Sequence, residues 1–303
     1  MFKVIVPTLN AAKDWPSFAP ALLGCLRPEQ VLLIDSESTD NTVSLAQNAG
    51  FEVCSTSRSE FNHGGTRQKA VEMVPESEIV VFLTQDAVLH DSKALTNLLA
   101  PFADPEVAAA YGRQLPRPGA RAIEAHARSF NYPAGSEIRT LASRHKLGIR
   151  AAFLSNSLSA YRRSALMAVG GFPTNVIFGE DTVVAARMLL AGYKVAYVSE
   201  ACAYHSHAYS PAQEFRRYFD IGVLHSRESW LLNEFGRAGG AGKHFVLSEL
   251  HYLLRREPWS IPSALLRTFV KLLGYRLGHM ESKLGWQLKR RLSMHPKFWT
   301  KSS

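Results

Sequence analysis

The stretch Ile79-Val80-Val81-Phe82-Leu83-Thr84-Gln85-Asp86-Ala87 decides how this chain folds. Its apolar run is β-rich and too short for a helix, and it ends in a polar turn that carries an acid. Similar runs occupy residues 2–7, 30–35, 51–55 and 107–112. Between them, residues 18–26, 39–49, 65–74 and 92–102 have helical spacing, and the polar stretch 36–40 offers several N-caps for the second of these helices. Strands alternating with helices are the pattern of βαβ units, so the expectation is an α/β, Rossmann-like fold: a mostly parallel central sheet flanked by helices.

Pro116 and Pro118 break the pattern, and a loop and helix are expected over residues 121–148. Residues 151–161 then read as a strand, 163–169 as a short helix, 181–191 as a helix closed by Gly192, and 194–198 as a strand. No internal repeat or low-complexity segment is evident.

Length and composition bound the rest. A chain of 303 residues, 46% hydrophobic and 20% charged, buries a sizeable core and is not a disordered polymer. Residues 237–303 hold thirteen Lys and Arg against three Asp and Glu, a charge of +10, so the rest of this +9 chain is near neutral. A surface of that sign seeks phosphates: lipid headgroups, nucleic acid or acidic glycans. Within it, residues 244–256 and 261–280 have helical apolar spacing, with Arg267, Lys271, Arg276 and Lys283 marking the wetter side; Trp259, Trp286, Phe298 and Trp299 suit a headgroup boundary. The expected division is a catalytic domain over 1–236 and a basic helical region over 237–303. Three cysteines without metal spacing fit a reducing cytosol. The first residues do not read as a signal peptide, and no stretch approaches the roughly 18 to 20 apolar residues that span a bilayer.

The candidate chemistry sits at strand ends. Asp35 closes an apolar run, where open parallel sheets bind ligands; its carboxylate can accept the N3 proton of uracil or thymine, or it can serve as a turn or capping residue. Asp86 follows the run quoted above, and hard ions such as Mg²⁺ and Mn²⁺ prefer carboxylate oxygen and share substrate phosphates. His205 and His207 follow another apolar stretch and would share a face on a strand, with His205 the expected metal partner and at least one of the two a structural hydrogen-bonder. Asp181 is the expected general base for a sugar hydroxyl, with Glu180 binding the acceptor or orienting the loop; the pair could equally stabilise a helix start. Arg67, in Phe61-Asn62-His63-Gly64-Gly65-Thr66-Arg67, is expected to pair with phosphate beside glycines that let backbone approach a ligand. Arg216 and Arg217 are expected to bind a diphosphate or to form a solvated helix face.

In order, these pieces resemble the inverting family 2 glycosyltransferases of the GT-A fold, from Val4-Ile5-Val6-Pro7-Thr8-Leu9-Asn10 through about Asp220. The resemblance implies that Asp35 contacts the nucleotide base, that Pro7, Thr8, Asn10, Gln85, Arg67, Arg216 and Arg217 line the donor, that Asp86 and His205 hold Mg²⁺ or Mn²⁺, and that Asp181 is the base. The family's Asp-x-Asp metal motif reads Thr84-Gln85-Asp86 here, so only its last carboxylate survives. Gln213, Arg216 and Arg217 fall in the region of the processive enzymes' Gln-x-x-Arg-Trp motif, which here lacks its tryptophan, and that points to one sugar per encounter. A narrower resemblance, through Phe82-Leu83-Thr84-Gln85-Asp86-Ala87, Leu154-Ser155-Asn156-Ser157 and Tyr204-His205-Ser206-His207, is to bacterial rhamnosyltransferases. It implies dTDP-L-rhamnose as donor and a lipid-linked glycan as acceptor in O-antigen-type synthesis. The basic, aromatic tail is then expected to rest a cytoplasmic enzyme on the anionic inner membrane face; the alternative is helices that pack back on the catalytic domain with their lysines and arginines solvated. The rivals are a UDP-sugar or another dTDP-deoxysugar as donor and, from another class, a nucleic-acid-binding module, for which no recognition motif exists and no nucleic acid is expected.

Overall fold

The computed structural model describes residues 1–59 and 61–299; Lys301, counted in the basic tail, lies outside them. Among the described residues nine strands form one sheet: β1 Phe2–Thr8, β2 Val31–Asp35, β3 Glu52–Ser55, β4 Ile79–Leu83, β5 Val88–Leu89, β6 Val107–Leu115, β7 Glu137–Arg139, β8 Leu158–Arg162 and β9 Lys194–Tyr204. The helices are α1 Trp15–Leu23, α2 Thr42–Asn48, α3 His63–Glu72, α4 Ala94–Leu99, α5 Ala122–Asn131, α6 Arg144–Leu147, α7 Arg163–Ala168, α8 Glu180–Leu190, α9 Pro211–Arg227, α10 Ser229–Phe235, α11 Ala241–Arg256, α12 Ile261–His279 and α13 Trp286–Leu292.

The sheet order is β3-β2-β1-β4-β8-β6-β9-β5, with β7 also on β9. β3, β2, β1, β4, β6 and β9 run one way, whereas β8, β5 and β7 run antiparallel to their neighbours. Side chains alternate across the sheet as its pleat requires: Ile5, Leu32 and Phe82 enter one core, and Val4, Val6, Leu33 and Leu83 enter the other. Both faces are therefore covered, which is why the central strands read as unbroken apolar runs.

Two expectations shift. The strand expected over 151–161 is only Leu158–Arg162, because a 3-10 turn occupies Gly148–Ala152. The strands at 107 and 194 run further than expected, to Leu115 and Tyr204, with a register shift that carries the pairing past Gly112. That extension puts Gln114 and the start of the residue 205–210 loop at the same sheet edge.

The C-terminal helices pack back on the body. α12 crosses α9 closely, since a Cβ at Gly274 or Gly278 would collide with the backbone of Phe215 or Phe219. Its orientation splits the expected wet side: Arg276 and Lys283 are exposed, but Arg267 and Lys271 turn inward to Glu214 of α9, while Leu265, Leu266, Phe269, Leu272 and Leu273 face outward, with Phe269 62% exposed. Trp299, expected at a headgroup boundary, is 3% exposed and packs with Phe219, Val223 and Ile177. Trp259 does stay out, at 75% exposed. No helix among the described residues is long and apolar enough to cross a membrane.

Candidate active site

The carboxyl ends of the co-directional strands converge on one edge, where open α/β sheets bind ligands. Asp86 follows β4, Gln114 lies at the end of β6, and His205 follows β9. Because β8 runs the other way, its beginning reaches the same edge and brings Asn156 with it.

Asp86, His205 and His207 form a cluster whose ligating atoms all lie within 4.8 Å of one another. Asp86 Oδ2 is 3.3 Å from His205 Nε2 and 3.6 Å from His207 Nε2. The other side of the ring orients His205. Arg128 Nη1, which can only donate, reaches the side-chain oxygen of Gln114. That same oxygen lies 3.0 Å from His205 Nδ1, so Nδ1 carries a proton and donates. His205 Nε2 is thereby left facing the Asp86 oxygen, the ring nitrogen that would ligate an ion shared with that acid. Burial works to raise the Asp86 carboxyl, but His205 and then His207 outweigh it and hold the acid well below the usual carboxylate range. For His207 the balance is opposite: burial first, then His205, depress it to about 4 despite Asp86. A carboxylate and two imidazoles this close make a donor set of oxygen and nitrogen that fits a divalent ion.

The acid pair stands at the start of α8, entered through Gly179. Glu180 is buried, accepting from Asn156 Nδ2 at 3.0 Å and pairing with Arg67 Nη1 at 2.9 Å. Asn156 is held in turn by Ser159 Oγ and Tyr161 Oη, both donating to its Oδ1. Asp181 is half-buried, and its Oδ2 accepts the Asn156 amide N–H at 3.2 Å. Burial first, and the Glu180 carboxylate second, push the Asp181 carboxyl above the usual range, while burial on Glu180 is overcome by Arg67 and His63, so that acid stays low. Two adjacent carboxyls with opposed shifts are how a site keeps one structural anion and one proton acceptor.

Arg67, expected at the donor phosphates, is turned inward: buried, paired with Glu180, and donating to the His63 carbonyl at 3.0 Å. The glycine beside it serves packing, because a Cβ on Gly64 would collide with the Pro173 backbone. Gln85 is similarly committed, accepting from Leu9 N at 2.7 Å and donating to Leu9 O at 3.1 Å. It ties the chain just after Pro7 and Thr8 of β1, and just before Asn10, to the turn that carries Asp86. Asp35, 2% exposed, accepts from Ser38 N and Oγ in the turn that follows β2. Asn10 Oδ1 accepts from Thr39 N. Arg216 and Arg217 are exposed on α9, and Arg217 lies over the Phe178 ring at 5.7 Å. Gln213 spends its side chain capping α9 with Ser210.

Residues 3–170 match the family described as Glycosyl transferase family 2. The chain is also 45% identical, over 98% of its length and 95% of the relative's, to O-antigen chain rhamnosyltransferase RfbN of Salmonella typhimurium. It is 47% identical, with the same coverage, to O-antigen chain rhamnosyltransferase WbaN of Salmonella anatum. The chain belongs to glycosyl transferase family 2. Its fold is like that of a mannosyltransferase of Pyrobaculum calidifontis solved with GDP-Man and Mn²⁺ (TM-score 0.56, 21% identity, 98% of this chain and 84% of that one). It is also like Staphylococcus aureus TarS 1–349 (TM-score 0.53, 17% identity, 93% and 91%).

For a family 2 glycosyltransferase, sequence reasoning missed four neighbours of the site. His207 completes the cluster although only His205 was expected in it, and the His-x-His spacing was its signal. Asn156 lies in the Leu154-Ser155-Asn156-Ser157 stretch already singled out, without a role assigned to it, whereas Gln114 and Arg128 carry no local signal: they depend on how far β6 extends and where α5 docks.

Proposed function

We propose that this glycosyltransferase moves L-rhamnose from dTDP-L-rhamnose, with inversion, onto a hydroxyl of a lipid-linked glycan during O-antigen-type synthesis. The observation that carries the donor and pathway is the full-length similarity to two O-antigen chain rhamnosyltransferases. Asp181 takes the proton of the acceptor hydroxyl as its oxygen bonds to the anomeric carbon, and the bond from that carbon to the β-phosphate oxygen breaks, releasing dTDP. A β-linked donor gives an α-L-rhamnosyl product. The raised carboxyl of Asp181 makes it a better proton acceptor than an ordinary aspartate. Glu180, fixed by Arg67 and Asn156, stays ionised and keeps Asp181 oriented.

Asp86, His205 and His207 would hold Mn²⁺ or Mg²⁺, which when bound neutralises diphosphate charge. Arg217, exposed and close enough to Phe178 to rest on its ring, is placed to meet a phosphate from the α9 side. The outward stripe of α12 supports a membrane surface as the working position: Leu265, Leu266, Phe269, Leu272 and Leu273 are all exposed on this helix, and Arg255, Arg256, Arg276 and Lys283 of the same C-terminal region are exposed as well. A helix of that kind lies in the interface of an anionic leaflet, here the inner face of the cytoplasmic membrane.

The test is nucleotide release from dTDP- and UDP-sugars with Mn²⁺ or Mg²⁺ and lipid-linked acceptor. Turnover confined to dTDP-rhamnose, yielding an α linkage and lost in Asp181→Asn, is expected. Turnover with another donor overturns the rhamnose assignment, and a retained β linkage overturns the mechanism.

A further inference from the structure

The loop of residues 205–210 carries both histidines of the cluster from β9 into α9, and its two halves are held differently. The first half is tied to the sheet: His205 N donates to Leu115 O at 3.0 Å, and Ser206 Oγ accepts from Arg117 N at 3.2 Å. The second half is reached from the C-terminal region. Arg267 Nη1, on α12, donates to the Tyr209 carbonyl at 2.6 Å. The same guanidinium pairs with Glu214 in the first turn of α9 at 3.1 Å, and its Nε donates to Ser263 Oγ at 3.3 Å. The Tyr209 ring stacks on His207 with centroids 5.0 Å apart and planes 25° from parallel, and His207 meets His205 edge-on at 4.6 Å.

A continuous set of contacts therefore runs from α12 to the metal-ligating atoms. We propose that Arg267 is a positioning residue of the metal site: by bridging Glu214 and the Tyr209 carbonyl it fixes the second half of the loop and so sets His207 against Asp86. The guanidinium suits the task because it offers donors in a planar fork and reaches two acceptors at once. The C-terminal region thus completes the ion-binding part of the enzyme in addition to any role at a surface. Partners that orient a metal-ligating histidine typically change metal affinity by about 10- to 100-fold when removed.

The inference rests on reading Asp86, His205 and His207 as a metal site, and the experiment separates the two. Mn²⁺ binding to purified full-length protein without substrate is followed by electron paramagnetic resonance for wild type, Arg267→Ala, Arg267→Lys, Tyr209→Ala and Lys271→Ala. Lys271 also pairs with Glu214, at 3.6 Å, without reaching the loop, and so controls for loss of helix packing. Arg267→Ala and Tyr209→Ala are expected to weaken Mn²⁺ about tenfold or more, Arg267→Lys by less, and Lys271→Ala not at all. Turnover of Arg267→Ala should recover at high Mn²⁺, a rise in the metal requirement with kcat largely kept. No Mn²⁺ binding by wild type would overturn the metal reading itself. Wild-type affinity in both Tyr209→Ala and a folded Arg267→Ala would overturn this inference alone, as would equal weakening by Lys271→Ala. Should Arg267→Ala not fold, the Tyr209→Ala and Arg267→Lys comparisons decide.

Discussion

Arg67 and Glu180 form an ion pair of 2.9 Å inside the protein, both side chains less than a tenth exposed. It joins α3 to the start of α8, directly beside the residue proposed as base. One guanidinium nitrogen, Arg67 Nε, has no partner, so the pair is not fully compensated. The site is held in place at some cost to stability.

Removing one member should therefore be worse than removing both. Arg67→Ala strands a buried carboxylate and is expected to cost about 3 to 5 kcal/mol in urea unfolding, whereas Arg67→Met with Glu180→Gln should restore much of that loss. A phosphate-binding Arg67 would behave otherwise: its removal would raise the donor KM and leave unfolding nearly unchanged.

Asp181→Asn should separate activity from stability. Loss of a general base lowers kcat by about 10²- to 10⁴-fold. The folded carboxyl is raised above its unfolded value, so the fold binds that proton more tightly than the unfolded chain does. Wild-type stability from this group is present below the unfolded pKa and is lost as pH rises toward the folded one. Asn cannot ionise, so its gain in Tm over wild type should be largest at pH 8 and fade toward pH 4, by a few degrees at most for a half-buried group (roughly, from the usual entropy of unfolding). A constant Tm difference across that range would mean that Asp181 is not raised. Activity of the wild type should fall on the acid side at a pH above the ordinary aspartate range.

Gln114 sets which nitrogen of His205 faces Asp86. Gln114→Leu keeps the buried volume but removes the acceptor for both His205 Nδ1 and Arg128 Nη1. Mn²⁺ affinity is expected to fall by about 10- to 100-fold, with chelator-treated enzyme needing correspondingly more ion for half-maximal turnover. Unchanged Mn²⁺ titrations would assign Gln114 to packing.

Much of this was legible in the sequence because it is local. β2 and β4 are unbroken apolar runs that end in Asp35 and before Asp86, and Asp86, Asp181 and His205 stand at or next to the ends of the elements that aim them. What escaped depends on distance. Arg67 reads as a ligand-binding cation until α8 brings Glu180 to it across more than a hundred residues. Arg267 and Lys271 read as solvated because helical spacing gives the two faces of α12 but not which one docks; the close approach allowed by Gly274 and Gly278, and Glu214 waiting on α9, decide that. The apolar face was legible, and its outward direction was not.

That outward face yields the last prediction. Leu266 and Phe269 are 51% and 62% exposed on α12, so entering a bilayer boundary would remove the remaining area from water, worth roughly 2 kcal/mol for the pair. Leu266→Asp with Phe269→Asp should then reduce co-sedimentation with anionic vesicles about thirtyfold or more, while turnover on a water-soluble acceptor analogue stays at the wild-type level. Binding of wild type should persist in part at high salt, since salt screens the surrounding arginines and lysines but not the apolar contact. Vesicle binding that salt abolishes and the double substitution leaves intact would reduce the membrane contact to charge alone. A wild-type dimer in solution that the double substitution disperses, with vesicle binding unchanged, would assign the stripe to a second copy of the chain.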